Sequence, residues 1–210
     1  ALLTYSVARG GEGAAVEVEV SESWYFFPFP IIFLSDRDWN KVSYGAGLMH
    51  ANVRGMAEQL TALFWLGYNP GFEFNYQDPW FRGDKNVFTS LQLYKYSIEN
   101  KHFVEEVRED HYGGSWRIGK RYGYHLFLSM MAGYKSISFR DSVRSYHFSG
   151  GDRDAFPLLN LNVLWDNRDL KEYAHTGVYA NISLTQKGMP GSAVDYLRLS
   201  ADLRTYFPVT

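Results

Sequence analysis

Leu159-Asn160-Leu161-Asn162-Val163-Leu164-Trp165 alternates apolar and polar side chains, and the same pattern returns twice before Tyr206. Val178/Ala180/Ile182/Leu184 alternate with Asn181/Ser183/Thr185, and Leu197/Leu199/Ala201/Leu203 with Arg198/Ser200/Asp202/Arg204. A period of two predicts β-strands with one apolar and one polar face. These runs last about eight to eleven residues, beyond the five or six usual in soluble strands. That is the length a tilted strand needs to cross an outer membrane.

Composition agrees with that reading. Aromatic residues make up 18% of the 210 residues, yet mean hydropathy is only -0.30 and no stretch of eighteen apolar residues exists. Helical membrane spans are excluded, whereas a barrel escapes hydropathy analysis because half of each strand faces a polar lumen. A formal net charge of -2 gives no basic excess for a nucleic-acid partner. Cysteine is absent, which is compatible with passage through an oxidising periplasm. No signal peptide opens the chain, so the sequence reads as a mature or trimmed fragment.

Residues 1–23 differ from the rest. Gly10, Gly11 and Gly13 predict a turn, and Val16/Val18/Val20 alternating with Glu17/Glu19 predict a short half-buried strand, the tail of a soluble domain. From Trp24 the pattern predicts ten long strands, at about 24–35, 42–53, 59–68, 71–77, 86–97, 113–119, 122–138, 156–165, 176–186 and 194–207. Apolar faces are expected at Phe72/Phe74/Tyr76, Val87/Leu91/Leu93 and Tyr124/Leu126/Leu128/Met130, with charges confined to the opposite faces. Trp80, Phe81, Trp116, Trp165, Tyr206 and Phe207 fall near inferred strand ends, where an interfacial aromatic girdle belongs. The predicted fold is all-β: a transmembrane antiparallel up-and-down barrel, about ten strands of it present, over residues 24–210. A soluble sandwich gives the same alternation and remains an alternative.

The most apolar run, Trp24 to Leu34, contains Pro28 and Pro30. Residues two apart in a strand point their N–H groups the same way, so these prolines delete two donors from one edge. Proline belongs at sheet edges, strand starts or bulges. This strand is therefore expected to pair with 42–53 through its other edge and to meet a second neighbour poorly, as the seam of a barrel would. Alternatively, Phe26 to Pro30 is an extended connector and pairing starts at Ile31.

Trp165-Asp166-Asn167-Arg168-Asp169, with Thr176-Gly177 opening the next strand, concentrates side chains that satisfy turn backbone groups. The spacing is not that of a calcium loop, and an open turn defeats pKa tuning, so the motif reads as structural. Here the chain resembles the BamA/TamA-type outer-membrane assembly factors, the bacterial surface antigen family. The turn is similar to that family's Asp-Asn-Arg-Asp…Pro…Gly motif, with Ala174 where relatives carry proline. Val16–Glu22 resembles the last strand of a periplasmic POTRA domain. Asn52-Val53-Arg54-Gly55 with Gln59-Leu60 and Asp78-Pro79-Trp80 resemble two periplasmic turns, and Gly188-Met189-Pro190-Gly191 an outer loop. The chain stops at Phe207-Pro208-Val209-Thr210, before the family's Val/Ile-Arg-Gly-Phe/Tyr loop motif. Relatives close with about sixteen strands.

The resemblance implies residues 1–23 as the end of a POTRA-like domain, in the outer membrane of a Gram-negative-type bacterium. It implies a barrel that inserts or translocates proteins by strand addition at a lateral seam. Phe27, Pro28, Phe29, Pro30, Ile31, Ile32, Phe33 and Leu34 would form the gate strand. Partners would be outer-membrane lipids, unfolded outer-membrane protein clients, and periplasmic or lipoprotein accessory subunits. A passive outer-membrane channel or a soluble all-β interaction domain is the alternative. The residues show no catalytic constellation. Serines lack a nucleophile elbow, and Tyr112-Gly113-Gly114-Ser115 is no phosphate loop. His102, Glu105, Glu106 and His111 carry metal-ligating groups but fall in an expected outer loop with no fixed geometry. No enzyme activity, metal or cofactor is expected.

Overall fold

The computed structural model of the chain describes residues 2–3, 18–19, 24–100, 107–139, 149, 151 and 153–208. Leu2–Leu3 (β1) and Val18–Glu19 (β2) form a small antiparallel sheet of their own. The rest of the predicted N-terminal turn and strand, and His102, Glu105 and Glu106, weighed and set aside as metal ligands, lie outside the described residues. Ten strands then form one sheet. They are Phe26–Leu34 (β3), Val42–Val53 (β4), Glu58–Gly67 (β5), Gly71–Asp78 (β6) and Val87–Asn100 (β7). Val107–Tyr122 (β8), Leu126–Phe139 (β9), Arg153–Asp166 (β10), Gly177–Gly188 (β11) and Asp195–Tyr206 (β12) complete it. Each strand pairs antiparallel with its neighbours in sequence, from β3 at one edge to β12 at the other.

The alternation dictates the faces, and in β10–β12 many cross-strand pairs put like with like. Leu161 pairs with Leu184 and Met130, and Leu184 with Leu199, while Asn160 pairs with Thr185 and Asn181 with Asp202. The apolar face is uncovered: Leu197, Leu199 and Leu203 are 63–72% exposed. Among the described residues only Val107 and Phe156 are buried apolar side chains, so these faces do not pack into a water-excluding core as a soluble sandwich would. On the polar face, Glu73 accepts hydrogen bonds from Asn75 (2.8 Å) and Gln92 (3.0 Å), and Asn160 donates to Thr185 (2.8 Å).

Several expectations need correction. The strand expected at 113–119 runs from Val107 to Tyr122, so His111 lies on β8 and not in a loop. Its ring is buried on the polar face, stacked on Tyr96 at 5.0 Å and bonded to Glu109 at 2.7 Å. Tyr124, placed on an apolar strand face, sits in the turn between β8 and β9 and is 92% exposed. Trp116 lies well inside β8 and not at its end; its indole N–H donates to Thr89 Oγ1 (2.7 Å) near the start of β7. Charges are not confined to the polar face either. Glu58, Asp78, Lys95 and Lys120 share their strand sides with Leu60, Tyr76, Leu93 and Ile118. Alternation assigns side but not height along the strand, and three of these four lie near a strand end, where an apolar face can meet water or headgroups.

Candidate functional site: a strand edge and a bonded turn

β3 is paired along its whole length, from Phe26·His50 to Leu34·Val42, so the connector reading of Phe26 to Pro30 fails. Ala51 N–H donates to Tyr25 C=O (2.8 Å), which sets the phase of the ladder. In an antiparallel pair the N–H and C=O of one residue point to the same neighbour and alternate along the chain. Residues 25, 27, 29, 31 and 33 therefore turn toward β4, and Pro28 and Pro30 present their missing donors on the opposite edge. That edge has no partner among the described residues.

The side chains of β3 depart furthest from the one-apolar, one-polar pattern. Phe27, Phe29, Ile31 and Phe33 lie on the side of Met49, Leu63 and Trp65, whereas Phe26, Pro28, Pro30, Ile32 and Leu34 lie on the apolar face. The strand is apolar on both sides. Ile32 is 72% exposed, and Phe27, Phe29, Phe33 and Leu34 are also exposed. Phe29 lies over Gly47, its direct partner; a Cβ there would come within 2.3 Å of the ring. Phe33 packs edge-on to Trp65 at 6.2 Å. β3 is thus held against β4 and β5 by ring contacts on one side, while its other backbone edge is short of donors.

At the end of the sheet where β3 begins, the motif around Asp166 forms a closed turn in which each residue is used. Asn167 N–H donates to Val178 C=O (3.1 Å), and Val178 N–H returns to Asn167 Oδ1 (2.6 Å). Arg168 clamps Asp166 through two bonds, at 2.8 and 2.9 Å, and lies over the Tyr179 ring at 4.8 Å. Asp169 Oδ1 accepts the N–H groups of His175 (2.9 Å) and Thr176 (3.2 Å). These donors, Thr176 first, hold the Asp169 carboxyl below the usual carboxylate range. Gly177 has φ +115°, and a Cβ would fall 2.7 Å from Arg168 Cα and from Asn167 O. The two carboxylates of the motif are thus committed to arginine and backbone.

The sequence reading missed Glu58. The turn at 54–57, as expected from Asn52-Val53-Arg54-Gly55, returns the chain into β5, with Arg54, Gly55 and Ala57 at positive φ. Arg54 then bonds Glu58, whose side chain is wholly buried, and reaches Tyr76 Oη at 3.3 Å. The Arg54…Glu58 spacing was available as a signal, but only the turn's left-handed backbone brings the two together. β3 and the Asp166 turn are far apart in sheet order, at β3 and at β10–β11, and form no single site.

An antiparallel sheet of ten long strands in sequential order, oily and exposed on one face and hydrogen-bonded and polar on the other, defines an outer-membrane β-barrel protein. The Omp85 superfamily domain matches residues 52–210. The chain belongs to the Omp85 superfamily. Among solved structures, BamA from Haemophilus ducreyi lacking POTRA domains 1–3 is similar, with a TM-score of 0.63 at 18% identity. The similarity covers 89% of this chain and 38% of that one, so the chain spans well under half the length of that relative. No curated protein matches the sequence.

Proposed function

We propose that the protein inserts or translocates other proteins at the outer membrane by adding client strands at the free edge of β3. The observation that carries this is the edge itself, paired on one side with β4 and stripped of two donors on the other by Pro28 and Pro30. An open edge templates another strand, and lipid penalises any backbone group left unpaired. A neighbour on this edge gives up two hydrogen bonds, each with a net value of about 0.5–1.5 kcal/mol, so it stays displaceable. Apolar side chains on both faces suit a strand that meets hydrocarbon when the seam parts. Client burial and hydrogen bonding drive the step, and no cofactor takes part.

In this reading residues 1–23 end a periplasmic POTRA-like domain and residues 24–210 form the N-terminal part of the barrel. Partners are outer-membrane lipids, unfolded clients, and periplasmic or lipoprotein accessory subunits. The test is cysteine crosslinking, in native membranes, from Phe29, Ile31 and Phe33 of the full-length protein to its terminal barrel strand and to a stalled client. Capture of both in competition is expected. Capture of the terminal strand alone, unchanged by client, would leave a passive channel with a weak seam.

A further inference from the structure

On the apolar face of β7–β10, successive cross-strand rows change character toward the end that carries residues 68–70. Leu93, Gly114, Tyr134 and Pro157 form one row. Lys95, Tyr112, Ser136 and Ala155 form the next, and Ser97, Asp110, Ser138 and Arg153 the one beyond. The face passes from oily to polar within two rows, which marks the level where hydrocarbon gives way to headgroups.

Two cations stand at that level around one ring. Lys95 lies directly across from Tyr112, and the Arg153 guanidinium covers the Tyr112 ring at 5.5 Å. Both are exposed, and neither has a carboxylate within ion-pair distance among the described residues. Two nearby acids among the described residues are engaged: Glu99 bonds Lys41 at 3.1 Å, and Asp110 takes the Ser97 hydroxyl. Beneath the cations a groove of about 580 Å³ opens between Phe72, Leu93 and Tyr134. All three side chains are 42–46% exposed. With no carboxylate partner among the described residues, cations at the edge of hydrocarbon call for anionic headgroups, and the groove below takes an acyl chain.

We propose that this surface binds a phosphorylated, multiply acylated glycolipid of the outer leaflet, its phosphates on Lys95 and Arg153 and an acyl chain over Leu93. Two cations in adjacent rows fit a headgroup with two phosphates better than a glycerophospholipid with one, and the exposed Tyr134 ring offers a face to a sugar. The leaflet follows from a periplasmic entry to β3, as in the function proposed above; strand addition itself is not required.

The test uses the full-length protein in phosphatidylcholine nanodiscs doped with bis-phosphorylated lipid A or, separately, with phosphatidylglycerol. Lipid retained after extraction is read by native mass spectrometry. Retention of lipid A about tenfold above phosphatidylglycerol is expected, falling to background in Lys95→Gln/Arg153→Gln and kept in Lys95→Arg/Arg153→Lys. Unmodified protein should also lose retention with dephosphorylated lipid A, a comparison that needs no variant to fold. Equal retention by the Gln variant, equal retention of the dephosphorylated lipid, or equal capture of phosphatidylglycerol would each overturn the proposal. Crosslinking from β3 to clients should be unchanged in the Gln variant, which separates this site from the seam.

Discussion

Gly177 sits at φ +115° with backbone atoms 2.7 Å from where a Cβ would be, so any side chain there must displace the Asn167–Arg168 peptide. Gly177→Ala is expected to cost about 1–3 kcal/mol, read as a lowered urea midpoint of the heat-modifiable folded band. Asp169 behaves differently because its contribution is titratable. Its folded carboxyl lies below the unfolded value, so the stabilisation is present above the unfolded pKa and is lost as pH falls through the folded one. The turn should weaken below about pH 4, and Asp169→Asn should flatten that acid limb in a pH series of unfolding midpoints. Asn167, Arg168, Asp169 and Gly177 were legible as a turn from residue type and spacing alone. Glu58 was not, because its burial depends on Arg54 adopting a left-handed backbone, a choice made by the whole hairpin.

At the scale of the strand, periodicity foretold faces well and ends poorly. β10, β11 and β12 stand where their alternation put them, whereas β8 extends to Val107, beyond its predicted start, because Val107–Tyr112 mixes charge and ring on both sides. The faces make a sharp prediction. Leu199→Arg, in the middle of β12 on the oily side, is expected to cost about 2–4 kcal/mol in lipid bilayers, while Ser200→Arg beside it should be nearly neutral. Equal costs, measured by folding into vesicles, would contradict the assignment of sides. The proline strand makes another. Replacing Pro28 and Pro30 by valine restores two donors on the free edge, so the neighbouring strand should bind more tightly and client crosslinks should fall. Unchanged client capture would show that donor loss does not set the looseness of the seam.

For the whole molecule, the uncovered oily face means that stability depends on surroundings. The full-length protein is expected to partition into the detergent phase, and recovery in the aqueous phase would argue for a partner-covered sheet in place of a lipid-facing one. Sequence by itself determined the class: side chains alternate with period two over lengths that match a bilayer, and no helix-forming pattern competes with them. It also determined that one edge of the proline strand is short of donors, since proline has no N–H in any fold. That this edge faces away from 42–53 was expected from the sequence, but only the tertiary structure fixed it against the connector alternative. The Tyr25–Ala51 bond fixes the phase of the β3–β4 ladder, and with it the outward direction of Pro28 and Pro30. It alone decided, too, that Lys95 and Arg153 meet around Tyr112, because residues of three strands become neighbours only through register, and register belongs to the assembled sheet.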